Sequence, residues 1–201
     1  SGPPNYIFTE LAGAYNLQDA TGDGSGVGIA DFDNDGDDDI YVCNTNVDKL
    51  FRNDGATFTD VTSSAGLSTT NESRSTSVSW GDYDKDGYLD FYVSRHAVYP
   101  GNSGDRQDQL YHNDGDGTFT DVSSLLDVNL LMGLGFIGGF TDFDNDGDID
   151  IIVINDCNFI PEEGRTRIFE NEGGTDGVND WTFTEVAASV GVDDCSNGMG
   201  L

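Results

Sequence analysis

The sequence has few positively charged residues and no long hydrophobic run. Only 8 lysines and arginines stand against 38 aspartates and glutamates among 201 residues, which gives a formal net charge of -30 at pH 7. A chain this acidic repels nucleic acid and anionic membrane surfaces, so we expect neither as a partner. No apolar run approaches the roughly 20 residues that span a bilayer, so no membrane insertion is expected.

Cysteine and histidine are also scarce. The three cysteines, Cys43, Cys157 and Cys195, form no Cys-x-x-Cys or Cys/His pattern of the kind that binds zinc. The two histidines, His96 and His112, lie near none of them in the sequence. The sequence therefore predicts no zinc site.

Aromatic residues and regularly spaced acids are plentiful. The 12 Phe, 8 Tyr and 2 Trp provide material for a core, which argues against the disorder that high charge can indicate. The acids recur at fixed spacing, and clustered carboxylates repel one another unless a cation neutralises them. We therefore expect the fold to depend on bound cations.

A nine-residue acidic motif occurs three times, at residues 31–39, 82–90 and 142–150. Each copy has Asp at positions 1, 3, 5 and 9 and Gly at position 6. Each leads into an apolar run, then a segment of an aliphatic residue, an aromatic residue, any residue and Asn, then a glycine-rich turn and a Phe-Thr-Asp/Glu-Val segment. We interpret these features as four short strands, A to D, with the motif between A and B.

Four strands per repeat indicate an all-β fold of β-propeller-type four-stranded blades. We expect one repeat array over 1–201, with repeats at 24–66, 67–126 and 127–190. Partial units flank them, one of strand D type at 1–23 and the start of a further repeat at 191–201. Three units cannot close a ring, so we expect a larger array or an assembly of several chains. Residues 123–132 could form a short helix.

The motif is suited to Ca²⁺, which takes six to eight oxygen ligands at about 2.3–2.6 Å. Carboxylates at positions 1, 3, 5 and 9 and the carbonyl at position 7 of a tight loop can converge, and Gly at position 6 allows the sharp turn. We expect three ions, held by Asp31, Asp33, Asp35, Asp37 and Asp39; by Asp82, Asp84, Asp86, Tyr88 and Asp90; and by Asp142, Asp144, Asp146, Asp148 and Asp150.

Three other interpretations of the motif are weighed against calcium. An EF-hand needs Glu at position 12 and flanking helices, whereas position 12 is Val42, Val93 or Val153 within a strand-like run. A solvated Asp-Gly turn without metal would not require every acid in three copies. A Mg²⁺-dependent phosphoryl-transfer centre, with the first Asp as nucleophile, needs one site with Lys and Ser/Thr partners, so it stays a distant alternative and no catalysis is expected.

The first unit resembles a known repeat. Residues 26–37, followed by Ile40-Tyr41-Val42, Leu50-Phe51-Arg52-Asn53 and Phe58-Thr59-Asp60-Val61, are similar to FG-GAP/VCBS repeats, the calcium-binding blades of integrin α-subunit propellers and of many bacterial secreted proteins. With Ala65-Gly66-Leu67 they look most like the repeats beside ASPIC/UnbV-type domains. The resemblance implies calcium in the A–B loop, a secreted or cell-surface location, and a role in adhesion, display or assembly without catalysis.

Two function classes are expected. The first, which the resemblance implies, is an extracellular module that binds a protein or glycan partner in adhesion or surface display. The second is a structural subunit that self-associates head to tail through its repeat ends and forms a filament, because the two chain ends repeat one another and three units cannot close a ring.

The up-and-down strand order predicts that the B–C and D–A loops lie on the face opposite the calcium loops. Cys157 and Cys195 fall in such loops of adjacent units, so we predict a disulfide between them, while Cys43 is expected as a buried free thiol. Asn71 begins the one N-glycosylation sequon. The same face is expected to carry partner contacts through arginines on or beside it: Arg74, Arg95, Arg106, Arg165 and Arg167.

Overall fold

The computed structural model describes residues 9–19, 22–69, 74–96, 107–127, 135–156, 165–174 and 180–193. These residues form three four-stranded antiparallel sheets, and in each sheet the strands lie side by side in chain order. The predicted all-β fold of four-stranded, propeller-type blades is therefore confirmed. The strands are β1 Gly24–Ala30, β2 Asp39–Asn44, β3 Lys49–Asn53 and β4 Phe58–Asp60; β5 Arg74–Gly81, β6 Asp90–His96, β7 Gln109–Asn113 and β8 Phe119–Asp121; and β9 Gly135–Thr141, β10 Asp150–Asn155, β11 Arg167–Asn171 and β12 Phe183–Glu185.

Helices are minor elements of the described chain. A single 3₁₀ turn at Ser123–Leu125 lies within the segment where a short helix was expected, and α1, Ala187–Val190, is one turn long. No helix among the described residues is long and apolar enough to cross a membrane.

The middle blade is buried on both faces, because it lies between the other two. Successive side chains of a strand point to opposite sides of the sheet. Phe91 and Val93 of β6 therefore join one hydrophobic cluster, which they share with the first blade. Tyr92, between them, joins a second cluster shared with the third blade. All three side chains are fully buried, so the core of this protein lies between blades.

The first strands of neighbouring blades approach each other closely. A Cβ on Gly26 of β1 would lie 2.5 Å from the carbonyl oxygen of Thr76 in β5, so this position has no room for a side chain. Thr76 in turn donates from Oγ1 to the carbonyl oxygen of Gly135 in β9, at 2.7 Å. The Ser77 hydroxyl accepts the backbone N–H of Gly138, at 3.0 Å. Hydroxyl groups and glycines thus join the three blades along their first strands.

The acidic loops and the turns between strands C and D lie at the same end of the blades, as the strand order predicts. Gly55 faces the carboxylate of Asp37, and Gly173 faces that of Asp148. Each C–D turn therefore packs against position 7 of the acidic loop in its own blade.

One of the predicted arginine contacts is wrong. Arg95 is only 4% exposed, because β6 is the second strand of the middle blade and is enclosed by its neighbours. It cannot belong to an exposed partner-binding face. Arg74 is exposed, Arg165 and Arg167 are half-buried, and Arg106 lies outside the described residues.

Cys43 is confirmed as a buried free thiol, and burial raises the pKa of that thiol well above its usual range. Cys157, Cys195 and the sequon at Asn71 lie outside the described residues, so the disulfide and the glycosylation stay predictions.

Candidate metal-binding loops

Each acidic motif forms the hairpin loop between the first and second strands of its blade. Position 6 is a glycine with φ near +95° in every copy, at Gly36, Gly87 and Gly147. Position 4 is also left-handed, at φ 59°, 62° and 64° for Asn34, Lys85 and Asn145. Glycine adopts this conformation freely and asparagine tolerates it. The two left-handed residues coil the backbone tightly, so that side chains from the ends of the motif meet.

The position 1 carboxylates are held by backbone N–H groups of their own loop. Asp31 accepts from Asp35 N at 3.1 Å and from Gly36 N at 2.9 Å. Asp82 accepts in the same way from Asp86 N at 3.1 Å and from Gly87 N at 3.0 Å. These bonds orient the position 1 carboxylate of the first and second loops.

Three carboxylates converge in each loop. Positions 1, 3 and 9 each offer an oxygen atom, and these atoms lie within 4.8 Å of one another in all three copies. The groups are Asp31, Asp33 and Asp39; Asp82, Asp84 and Asp90; and Asp142, Asp144 and Asp150.

The predicted ligands at positions 5 and 7 are arranged differently. Asp35 and Asp146 at position 5 are exposed, and neither belongs to the group of three in its loop. Their Oδ1 atoms accept the N–H of position 7, from Asp37 at 2.9 Å and Asp148 at 2.8 Å. In the second loop Tyr88 N donates to Asp86 Oδ1 in the same way, at 2.8 Å.

The position 9 aspartate has a structural role as well as a place in the cluster. Asp150 is buried; it accepts the backbone N–H of Phe143 at 2.9 Å and that of Asn171 at 2.9 Å. Asp39 and Asp90 make the equivalent pairs of bonds. Burial raises the pKa of Asp39 and of Asp90 to about 6. This carboxylate therefore connects the loop to the third strand of the blade.

Two carboxylate oxygens in the clusters are buried and have no hydrogen-bond partner. They are Asp33 Oδ1 and Asp142 Oδ1. Burial, followed by the charge of Asp35, raises the pKa of Asp33. A buried acceptor without a partner is costly, and a cation that bound both it and its neighbours would remove that cost. The oxygen-only donor sets of the first and third loops fit Ca²⁺.

Neighbouring blades contact one another through the loops. Asn171 of β11 donates from Nδ2 to the carbonyl of Tyr83 in the second loop, at 3.0 Å, and to Ile149 of its own blade, at 3.1 Å. Asn34 in the first loop donates to the carbonyl of Gly87 in the second, at 3.1 Å. Hydrogen bonds therefore fix the position of each loop relative to the next blade.

An ion pair joins the second loop to the third. Lys85 Nζ lies 2.5 Å from Asp148 Oδ1. The side chain at position 4 of the second loop thus extends to position 7 of the third, much as Asn34 extends from the first loop to the second.

A side chain from the third strand faces each loop, and it differs among the blades. It is Arg52, His112 or Glu170 in equivalent register. Arg52 pairs with Asp54 at 2.8 Å. Burial, followed by the charges of Glu172 and of acidic residues of the third loop, raises the pKa of Glu170.

His112 is the residue of this kind that sequence reasoning missed. Its Nδ1 lies 3.3 Å from Asp84 Oδ2 and 3.4 Å from Asp90 Oδ1. These two carboxylates raise the pKa of His112 to about 10. The available signal was the variable residue before the Asn of strand C, because that position points toward the acidic loop in every repeat.

The family comparison agrees with this architecture. The family model described as FG-GAP-like repeat matches residues 31–93 and 98–153, which is more than half of the chain. No curated protein matches the sequence. Among solved structures, a lectin of Agrocybe aegerita described as specifically recognising non-reducing terminal N-acetylglucosamine is similar at 20% identity and a TM-score of 0.43. The match covers 79% of this chain and 36% of the lectin, so the chain spans about a third of that protein's length.

Proposed function

Because the chain belongs to the FG-GAP-like repeat family, we propose that it is a non-catalytic, calcium-binding propeller module that acts outside the cell. Each of the loops 31–39, 82–90 and 142–150 takes one Ca²⁺. The ions stabilise the blades, and the rigid module presents its loops to a protein or glycan partner. A second copy of this chain is the alternative partner.

One observation carries the calcium proposal. The same three positions of the motif bring carboxylate oxygens within 4.8 Å of one another in three separate loops. Like charges so close repel strongly unless a cation lies between them. The buried, unpartnered oxygens of Asp33 and Asp142 support the same conclusion, because each has a lone pair that no protein donor uses.

The role of the ions is structural. Positions 1, 3 and 9 supply the converged side-chain oxygens, and small movements of the exposed position 5 carboxylate and the position 7 carbonyl would complete the shell of six to eight oxygens that Ca²⁺ prefers. At a free calcium concentration of ten times Kd, each site adds roughly 1.4 kcal/mol to the free energy of unfolding. Three such terms are large beside the stability of about 5–15 kcal/mol that is usual for a domain.

An extracellular location suits sites of this kind. Calcium-binding modules outside cells commonly have Kd values of about 0.1–1 mM, so they are occupied there and largely empty in the cytosol. The net charge of -30 also favours a compartment where calcium is abundant, since bound ions reduce the repulsion within the folded chain.

The phosphoryl-transfer alternative has less support. A phosphoryl-transfer centre needs one nucleophile with Lys and Ser/Thr partners, whereas the motif recurs in three loops and its position 4 is Asn34, Lys85 or Asn145. The two lysines are paired with other carboxylates, Lys49 with Asp60 and Lys85 with Asp148. These contacts favour a binding loop over a reaction centre.

Calcium counting and thermal unfolding test the proposal. The full chain, stripped with EDTA, should take up three Ca²⁺ in isothermal titration calorimetry, and its Tm should rise as calcium is added. Asp33→Asn should lose one ion. Asp116→Asn is the matched control, since Asp116 is exposed and lies in a C–D turn outside the loops; it should keep all three. A chain that binds no calcium at millimolar concentration, with an unchanged Tm, would reject the proposal.

A further inference from the structure

The second loop differs chemically from the other two because an imidazole faces it. His112 is 4% exposed, and its Nδ1 is buried without a hydrogen-bond partner. Ligand atoms of His112, Asp84 and Asp86 lie within 4.8 Å of one another. The equivalent residue of the first blade is an arginine paired with Asp54, and that of the third blade is a glutamate, which offers oxygen.

The separation of Nδ1 from Asp84 is that of neighbouring ligands around one ion. The distances from Nδ1 to Asp84 Oδ2 and to Asp90 Oδ1, 3.3 Å and 3.4 Å, exceed the usual 2.7–3.2 Å of an N–H···O hydrogen bond. Two ligands bound tetrahedrally at about 2.0–2.1 Å are about 3.4 Å apart. The imidazole is therefore placed beside the carboxylates as a further donor.

The type of donor selects the metal. Calcium takes oxygen ligands, whereas an imidazole nitrogen suits zinc, copper, iron and nickel. We propose that the second loop binds a first-row transition-metal dication, represented by Zn²⁺, through His112, Asp84 and Asp86 in preference to calcium. This inference rests on the proposed function, which makes the loops cation-binding sites. The first and third loops stay calcium sites.

The surroundings of His112 hold the ring in place. Its other nitrogen, Nε2, faces Asp114 Oδ1 at 4.0 Å, and a carboxylate beyond a metal-bound histidine commonly fixes the orientation of the ring. Tyr83 contacts the imidazole edge to face, with ring centroids 6.2 Å apart. Asp90, on the other side, is fixed by the backbone N–H of Asn113 at 2.8 Å.

The competing explanation is that His112 is a permanent imidazolium that takes the place of a cation. In that case the ring neutralises Asp84 and Asp90, and the second loop needs no transition metal. The two explanations differ in a measurable way, because an imidazolium has no lone pair to give to zinc.

Zinc binding to the full chain in excess calcium distinguishes them. We expect the wild type, in several millimolar Ca²⁺, to bind one Zn²⁺ and to release one Ca²⁺, with both metals counted by elemental mass spectrometry after dialysis. His112→Gln should lower the zinc affinity at least about tenfold. Glu170→His places an imidazole at the equivalent position of the third blade and should raise the count to two Zn²⁺.

Co²⁺ gives a second readout that depends on the ligands and not on stability. It should produce a visible absorption band in the wild type that His112→Gln lacks and Glu170→His strengthens. The inference would be overturned if wild type and His112→Gln bound zinc equally well and Glu170→His still bound only one Zn²⁺. Three calcium ions that zinc does not displace would also overturn it while leaving the calcium proposal intact. Zinc uptake that needs His112, in a chain that takes up no calcium, would support this inference and reject the calcium proposal.

Discussion

Asn113 of the second blade donates from Nδ2 to the carbonyl oxygen of Phe32 in the first acidic loop, 2.8 Å away and 81 residues earlier in the chain. The same Nδ2 also donates to Leu89 at 3.1 Å, and its Oδ1 accepts the N–H of Gly115 at 3.0 Å. One buried amide thus fixes the loop of its own blade, the turn that follows it and the loop of the preceding blade.

This amide should contribute to stability more than its counterpart in the first blade. Asn53 donates from Nδ2 to Asp38 in its own blade at 3.0 Å and is half-buried. Asn113→Ala leaves two carbonyls without a donor and should lower the free energy of unfolding by about 1–3 kcal/mol. Asn53→Ala is the matched variant and should cost less. Urea unfolding in saturating calcium measures both, and equal losses would show that the contact between blades contributes nothing extra.

The close approach of the first two blades predicts a strong effect of one added methyl group. Gly26→Ala would place a Cβ 2.5 Å from the Thr76 carbonyl oxygen, a backbone atom that cannot move away easily. We expect a loss of about 1–3 kcal/mol in the free energy of unfolding, as for other overpacked positions. Gly24→Ala in the same strand has its nearest neighbours at 3.8 Å; it should change stability by less than about 1 kcal/mol, in the favourable direction. A harmless Gly26→Ala would contradict the packing described for β1 and β5.

Two aspartates of one loop should respond differently to replacement by asparagine. Asp150 accepts backbone N–H groups on both oxygens. Asp150→Asn replaces one of these oxygens with an NH₂ group, so that two hydrogen-bond donors face each other. It should cost about 1–3 kcal/mol even without calcium. Asp146→Asn keeps the oxygen that accepts Asp148 N and is exposed; it should change stability by less than about 0.5 kcal/mol but weaken calcium binding. Unfolding in EDTA at high salt, which screens the loop charges, separates the two effects, and equal losses there would contradict the structural role of position 9.

Asp108 should make stability depend on pH. Its carboxyl is 2% exposed, and it accepts hydrogen bonds from Arg95 N at 2.6 Å and Tyr92 Oη at 2.8 Å. Burial raises the pKa of Asp108 to about 7, above its unfolded value of about 3.9. The folded state therefore holds an extra proton between about pH 4 and 7, and the resulting stability is present in full below that window and lost as pH rises through it.

Replacement by asparagine removes this titration. The free energy of unfolding of the wild type, relative to Asp108→Asn, should fall by up to about 4 kcal/mol between pH 4 and pH 8. Denaturant unfolding of both chains across this range measures the difference, with exposed Asp116→Asn as the control that should track the wild type. A difference that does not vary with pH would mean that Asp108 stays ionised in the folded protein.

Much of the loop could be predicted from contiguous residues. The glycine at position 6 and the acids at positions 1, 3 and 9 determine a tight turn with carboxylates at both ends, and the structure brings those oxygens within 4.8 Å. The period of the repeat and the four strands per unit also followed from local pattern, because strands and turns are selected by neighbouring side chains. These features depend on interactions across a few residues, which the sequence displays directly.

The failures concern burial and contacts between strands that are distant in the sequence. Arg95 was expected at a surface and is enclosed, because the sequence does not reveal that β6 belongs to a blade covered on both faces. His112 was dismissed for lack of a nearby cysteine in the sequence, although the fold sets it 3.3 Å from Asp84, 28 positions earlier. Each error came from judging a residue by its sequence neighbours instead of by the strands beside it.

The sequence by itself determined the repeat, the blade and the position of the three acidic loops, since all of these arise within stretches of about ten residues. Only the tertiary structure decided which side chains from neighbouring strands face each loop: Arg52, His112 or Glu170 within each blade, and Asn113 or Asn171 from the next. Packing of the blades joins residues as far as 88 positions apart. Such contacts depend on how whole sheets stack. They could not be predicted because the periodic pattern of apolar residues shows which face of a strand is buried but does not identify the residue that packs against it.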